Sequence, residues 1–309
     1  MQTTSSLSGD STYRLVGTGL AVVGVIGFAL RPIFIRLAYV YAEDPVTLLA
    51  LRMTFSLPFF VVIAAWSGRR GRRTRLTQRD HAAIAFLGFL GYYAASFCDF
   101  LGLQYVSAGL GRLLLFLYPT IVVLLSAAFL GKRIQRREVI ALALCYAGVA
   151  LVLSTALEQH SANLPLGAAF VFGGAVIYAV YLVAGSQVIQ RVGSVRFTAY
   201  AMTAASLACI LQFLVLRPLA ALELPLAVYL YAVAMAVVST AIPVFMTSEA
   251  LRRIGANTVA IVGAMGPVTT IALGWLGLEE IMTPLQMLGS ALVLVGVVVI
   301  SLRSAARQA

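Results

Sequence analysis

Residues 102–130, GLQYVSAGLGRLLLFLYPTIVVLLSAAFL, return in altered form as residues 250–278, ALRRIGANTVAIVGAMGPVTTIALGWLGL. A shift of 148 residues superimposes them without a gap and continues to residue 152 against residue 300. Ala108 falls on Ala256, Pro119 on Pro267, Leu125 on Leu273 and Leu130 on Leu278. Further on, Ala143-Leu144 falls on Ala291-Leu292 and Gly148-Val149 on Gly296-Val297. Apolar matches are common by chance in such a chain. The paired prolines and glycines weigh more, because proline removes a backbone donor and glycine lets helices approach closely.

Outward from this repeat, the chain is too apolar for water. Of 309 residues, 61% are hydrophobic and 11% charged, with a mean hydropathy of +0.97. Soluble domains carry about 25% charge, and ~300 residues cannot bury so much apolar surface. Segments of the ~20 residues needed to span a bilayer are expected at 14–37, 46–66, 82–105, 108–130, 137–156, 165–188, 196–216, 226–250, 256–278 and 284–302. They lack the alternation of strands, so helices are expected rather than a barrel. The first segment has an Arg14 flank and a weak cleavage site at Val40-Tyr41-Ala42, but Arg31-Pro32 inside it and its length argue against a signal peptide. Residues 1–13 read as a disordered tail, 157–164 as a linker and 303–309 as a second tail.

Charge sets the orientation. With the N-terminus cytoplasmic, inner segments hold seventeen cations, including Arg14, the run at 69–79, Lys132 to Arg137, Arg191, Arg196, Arg252, Arg253, Arg303 and Arg307. Outer loops hold Arg217 alone, beside Glu43, Asp44, Glu158, Glu223, Glu279 and Glu280. The positive-inside rule then places both termini in the cytoplasm. The net charge of +11 is explained by these loops without invoking nucleic acid. The loop at 69–75 is also suited to anionic membrane lipid.

Five helices per half make the second copy enter the membrane inverted, an architecture whose site lies at the repeat interface. Tyr118-Pro119-Thr120 followed by Leu130-Gly131-Lys132, and Gly266-Pro267-Val268 followed by Leu278-Glu279-Glu280, with Gln286, Gly289, Ala291, Leu292 and Gly296, resemble the drug/metabolite transporter superfamily, in particular its EamA-type domains. The family's Gly-Glu pair is split here, with Gly131-Lys132 in one copy and Glu279-Glu280 in the other. The resemblance implies a ten-helix bundle of two repeats, 14–156 and 165–302, around a central cavity that opens alternately to the two sides. It also implies an inner-membrane, multi-pass exporter of amino acids, organic anions or related metabolites.

Charged residues inside a bilayer are costly and mark functional candidates. They are Arg31, Arg36, Arg52, Asp99, Arg112 and Glu249. At ~1.5 Å per helical residue, Arg31, Asp99, Arg52 and Arg112 share one level in the outer half of a ~30 Å core. One Asp cannot neutralise three Arg, so a carboxylate-bearing substrate fits the surplus charge. Arg36, Arg52 and Arg112 stand near helix ends, where snorkelling to headgroups is the alternative. Tyr92, Ser96 and Asp99 form one helix stripe, and Arg112, Phe116 and Pro119 another. From the second repeat, Tyr178, Tyr181 and the stretch Ser239 to Pro243 are expected to face them. Glu249 either pairs with Arg253 or, like Asp99, couples transport to protons.

No Walker-type loop and no zinc-protease signature occurs. The three cysteines and two histidines form no metal or disulfide pattern. Neither a cofactor nor catalysis is expected. A receptor or assembly partner remains the alternative to a secondary transporter, with proton or exchange coupling and a monomeric or homodimeric state left open.

Overall fold

The computed structural model describes residues 4–70, 76–131, 134–159, 163–263, 265–280 and 282–306. Most of the basic loop at 69–75, with Lys132, Arg133 and Arg307, lies outside the described residues. Among the described residues the chain is helical and without strands. The helices are α1 (Thr4–Tyr39), α2 (Pro45–Arg70), α3 (Gln78–Gly88), α4 (Ala95–Gly102), α5 (Ala108–Leu115), α6 (Tyr118–Leu130) and α7 (Arg136–Gln159). The second half contributes α8 (Leu164–Val192), α9 (Ser194–Leu216), α10 (Leu226–Ala236), α11 (Ile242–Gly263), α12 (Gly266–Leu278) and α13 (Pro284–Ala306).

Among the described residues, eight segments are long and apolar enough to cross a membrane, from Leu15–Tyr39 to Leu226–Thr247. Two shorter apolar helices, Gly266–Leu278 and Pro284–Val299, fall where the ninth and tenth were expected. Two boundaries differ from the sequence reading. Helix α1 is already helical at Thr4, within the segment expected to be disordered. Its first residues contain no proline to stop a helix propagating outward from the apolar span. Helix α11 runs unbroken through the loop expected near 251–255. Glu249-Ala250-Leu251-Arg252-Arg253 are good helix formers, so the chain breaks later, before Pro267.

The repeat is visible in the backbone. Phe116 and Leu117 interrupt the fourth segment just before Tyr118-Pro119, and the 148-residue shift places the α11–α12 break at the matching position. In both, proline takes the second residue of the new helix, where its missing N–H has no intrahelical acceptor to lose. A π-helical turn spans Phe89–Ala94 between α3 and α4, and another spans Val237–Ala241 between α10 and α11. The same shift carries Phe89 onto Val237. Gly131 ends α6 in the left-handed region (φ 63°), and its counterpart Glu279 ends α12 there too (φ 53°).

Packing obeys the same two-fold relation. Helices α7 and α13 lie together. A Cβ on Gly148 would stand 2.5 Å from the Gly289 carbonyl oxygen, and one on Gly296 would stand 2.7 Å from that of Ala141. These are two equivalent contacts, since the shift exchanges Gly148 with Gly296 and Ala141 with Gly289. Helix α1 crosses α11 as α8 crosses α4. Ion pairs join the halves at both ends of the bundle. Arg217 at the end of α9 holds Asp44 before α2, and at the opposite end Arg191 of α8 holds Asp80 of α3. The shift lands Asp44 beside Arg191, so corresponding connections pair at the two ends with acid and base exchanged.

Candidate functional site

Arg31, on α1, reaches Asp99, on α4, with Nη2 3.4 Å from Oδ2. The carboxylate side chain is 7% exposed and the guanidinium 20%. Arg31 precedes Pro32, which leaves the carbonyl of Phe28 without its usual helical donor.

Two more arginines complete the cluster. Arg52, on α2, donates to Ser96 Oγ (3.3 Å) and Met53 Sδ (3.7 Å) and lies over the Phe100 ring at 5.3 Å. At 2% exposure it is enclosed by protein and does not snorkel to the bilayer surface. Arg112, on α5, lies over the Phe116 ring at 5.8 Å. It also abuts the start of α12, where a Cβ on Gly266 would be 3.3 Å from its Nη2. Asp99 interacts electrostatically with all three arginines, Arg31 most strongly. The Nε atoms of Arg31, Arg52 and Arg112 are each buried without a hydrogen-bond partner.

A tyrosine wall flanks the charges. Tyr118 meets Tyr178 edge-on at 5.1 Å, Tyr178 stacks on Tyr181 at 5.6 Å, and Tyr181 meets Tyr92 at 5.3 Å. The Tyr181 hydroxyl donates to that of Tyr92 at 3.1 Å. Tyr178, from the second repeat, lies within electrostatic reach of Arg31 and Arg112 from the first. Tyr92 sits on the π turn, a geometry frequent at functional sites.

Of the residues singled out from sequence, Arg31, Arg52, Tyr92, Ser96, Asp99, Arg112, Phe116, Tyr178 and Tyr181 therefore form one connected neighbourhood. Ser239 is buried on the second π turn with its Oγ unpartnered. The adjacent Val238 carbonyl faces Gly27, one turn of α1 from Arg31. Glu249 is apart from the cluster, held by Arg253 at 2.7 Å. Arg36 turns inward and donates to the Leu103 carbonyl (3.3 Å) near the end of α4.

Two residues escaped the sequence reading of the site. Tyr118 was quoted only as part of a motif, although its place before Pro119 puts it at a helix break. Glu280 accepts from the backbone N–H groups of Ala108 (2.8 Å) and Gly109 (3.2 Å), capping the N-terminus of α5 from the other repeat. No group of His, Cys, Asp and Glu among the described residues is arranged to hold a metal.

The profile of the EamA-like transporter family matches residues 15–154 and again 165–302. The chain belongs to the EamA-like transporter family. Among its relatives is the "Uncharacterized transporter YcbK" of Bacillus subtilis (strain 168), 30% identical over 280 residues and 88% of each chain. The "Probable terminal-alkyne amino-acid exporter" of Streptantibioticus cattleyicolor is 29% identical over 209 residues, 67% of this chain and 68% of its own. A solved crystal structure shares the fold with a TM-score of 0.62 and 20% identity, covering 93% of this chain and 98% of its own. This EamA-family protein is a multi-pass membrane transporter and not an enzyme.

Proposed function

We propose that this EamA-family protein is a secondary transporter that exports a small carboxylate-bearing metabolite across the inner membrane. It works by alternating access through a site between two inverted five-helix repeats, with both termini cytoplasmic. The observation that carries this reading is the buried cluster of Arg31, Arg52 and Arg112 around Asp99, closed on one side by Tyr178 of the other repeat. Three guanidiniums, Arg52 buried and Arg31 and Arg112 partly buried, with one carboxylate are poorly compensated in a low-dielectric interior, and a bidentate carboxylate is the natural complement of Arg. Alternating access is supported by the inter-repeat ion pairs at opposite ends, Asp44 with Arg217 and Asp80 with Arg191. Each can close one end while the other opens. Export is supported by the S. cattleyicolor relative, a probable terminal-alkyne amino-acid exporter.

The test is flux in sealed proteoliposomes with a panel of labelled amino acids and organic acids, with and without a pH gradient. Saturable flux lost in Arg31→Ala supports the site. Loss of the pH response alone in Asp99→Asn assigns proton coupling to that carboxylate. Saturable flux unchanged in both variants overturns the site.

A further inference from the structure

We infer that Met53 and Ser206 are positioning residues for Arg52. The Ser206 hydroxyl, from the second repeat, holds the Met53 sulfur, and the sulfur holds the guanidinium at its place in the central cluster without neutralising it. The inference rests on the transport reading above, which gives Arg52 an anion to meet, and deepens it.

Arg52 has a long, flexible side chain, and fixing it costs rotamer entropy. Its Nη2 donates to the Met53 sulfur at 3.7 Å as well as to Ser96 Oγ at 3.3 Å. Ser96 and the Phe100 ring both belong to α4, so they steady the guanidinium from that helix alone. The sulfur steadies it from α2, where Met53 is fully buried. Ser206, on α9 and also fully buried, donates to the same sulfur at 3.7 Å. Thr203, one turn earlier on α9, gives its hydroxyl to the Ala199 carbonyl of its own helix, the usual habit of a helical hydroxyl. Ser206 instead reaches across to α2. Ser56 Oγ stands 4.0 Å from the sulfur, but its one hydrogen is taken by the Met53 carbonyl at 3.1 Å. Arg52 and Ser206 are thus the sulfur's two donors, one from each repeat.

The kind of acceptor matters. A thioether accepts weakly and carries no charge, whereas a carboxylate at this place would grip the fork and cancel its charge. Among the described residues no carboxylate forms an ion pair with Arg52. The guanidinium is oriented and keeps its charge for an anion. Leucine at position 53 would fill nearly the same space and orient nothing, so the sulfur rather than the bulk is what this position supplies.

The test is labelling of the full-length protein in proteoliposomes with phenylglyoxal, which adds to unshielded guanidiniums, with the rate at each arginine read by mass spectrometry. Met53→Leu is expected to speed labelling of Arg52 about fivefold, as for a lost hydrogen bond, and to leave Arg31 and Arg112 within about twofold. Ser206→Ala is expected to speed Arg52 by a smaller factor, because the sulfur stays. The two residues act in series, so the double variant is expected to match Met53→Leu rather than to multiply the two effects. Acetate, the simplest carboxylate, is expected to slow labelling of Arg52 in the wild type, and about fivefold more of it to be needed in Met53→Leu. Melting curves show which variants are folded, and Ser206→Ala carries the test alone if Met53→Leu is not. Unchanged Arg52 labelling in the folded variants overturns the inference. So does equal acceleration at all three arginines, which would mean general loosening, and so does a double variant whose effects multiply. Labelling rates that follow the expected order without any protection by acetate would leave the positioning standing and remove the anion site of the transport reading.

Discussion

Arg217 grips Asp44 with both prongs of its guanidinium, Nε to Oδ2 at 2.8 Å and Nη2 to Oδ1 at 2.9 Å, and so ties the end of α9 to the start of α2 across the two repeats. Thr47 adds its hydroxyl and backbone N–H to the same carboxylate. Burial alone would raise the Asp44 pKa, but the Arg217 and Thr47 hydrogen bonds and the Arg217 charge outweigh it and hold the carboxyl below its ordinary range. A depressed carboxylate stabilises the fold fully above its unfolded value, near 4, and loses that contribution as pH falls through the lower folded value. Melting temperature is therefore expected to drop on acidification below about pH 4, and to drop less in Asp44→Asn. With side-chain exposures of 28% and 38% the pair is solvent-screened, so the loss at neutral pH is expected to be about 0.2–1 kcal/mol. An identical acid profile in the variant would rule this pair out as its source.

The charge balance of the central cluster makes an ordering prediction. Asp99→Asn leaves three arginines with no carboxylate, whereas Arg31→Ala removes one of the repelling cations. Asp99→Asn is expected to cost about 3–5 kcal/mol, as for a broken buried pair, and Arg31→Ala less. Paired melting curves without ligand decide it; the reverse order would mean that Asp99 does not serve as the common counter-charge.

Glu279 occupies a backbone region that its counterpart Gly131 occupies freely. A left-handed non-glycine residue costs about 1–2 kcal/mol, so Glu279→Gly is expected to stabilise the protein by roughly 1 kcal/mol. The control is Gly131→Ala, expected to destabilise by a similar amount. A lower melting temperature for Glu279→Gly would contradict the strain.

Glu280 is aimed at α5 by that same turn. Glu280→Ala removes the cap on Ala108 and Gly109, a loss expected to cost about 0.5–2 kcal/mol. It is also expected to speed the reaction of Ala108→Cys with a membrane-impermeant thiol reagent. Unchanged labelling would show that the bond does not restrain this end of the bundle.

The fold was legible because the bilayer imposes run lengths and the 148-residue shift exposes the repeat. That Arg31 and Asp99 fall at one level of the bundle was legible too, since helical rise is constant, and the two meet at 3.4 Å. The π turns were not, because nothing in Phe89–Ala94 or Val237–Ala241 marks the extra residue; tertiary packing selects it. Glu280 was hidden for a different reason. Its role depends on which helix N-terminus the other repeat brings beneath it, and the split Gly-Glu motif drew attention to the sequence pattern instead. Arg36 meets the Leu103 carbonyl just past α4 and Arg52 the Phe100 ring on α4, partners that their positions near helix ends do not reveal.

The seam between α7 and α13 reads alike from either side, with Gly148 against Gly289 and Gly296 against Ala141. The shift carries this interface into itself, as it does the packing of α2 on α9, whereas it exchanges the crossing of α1 with α11 for that of α8 with α4. Its small residues leave no slack for sliding, so any rocking of one repeat on the other is expected to be felt first at the crossings of α1 with α11 and of α4 with α8, which flank the charges.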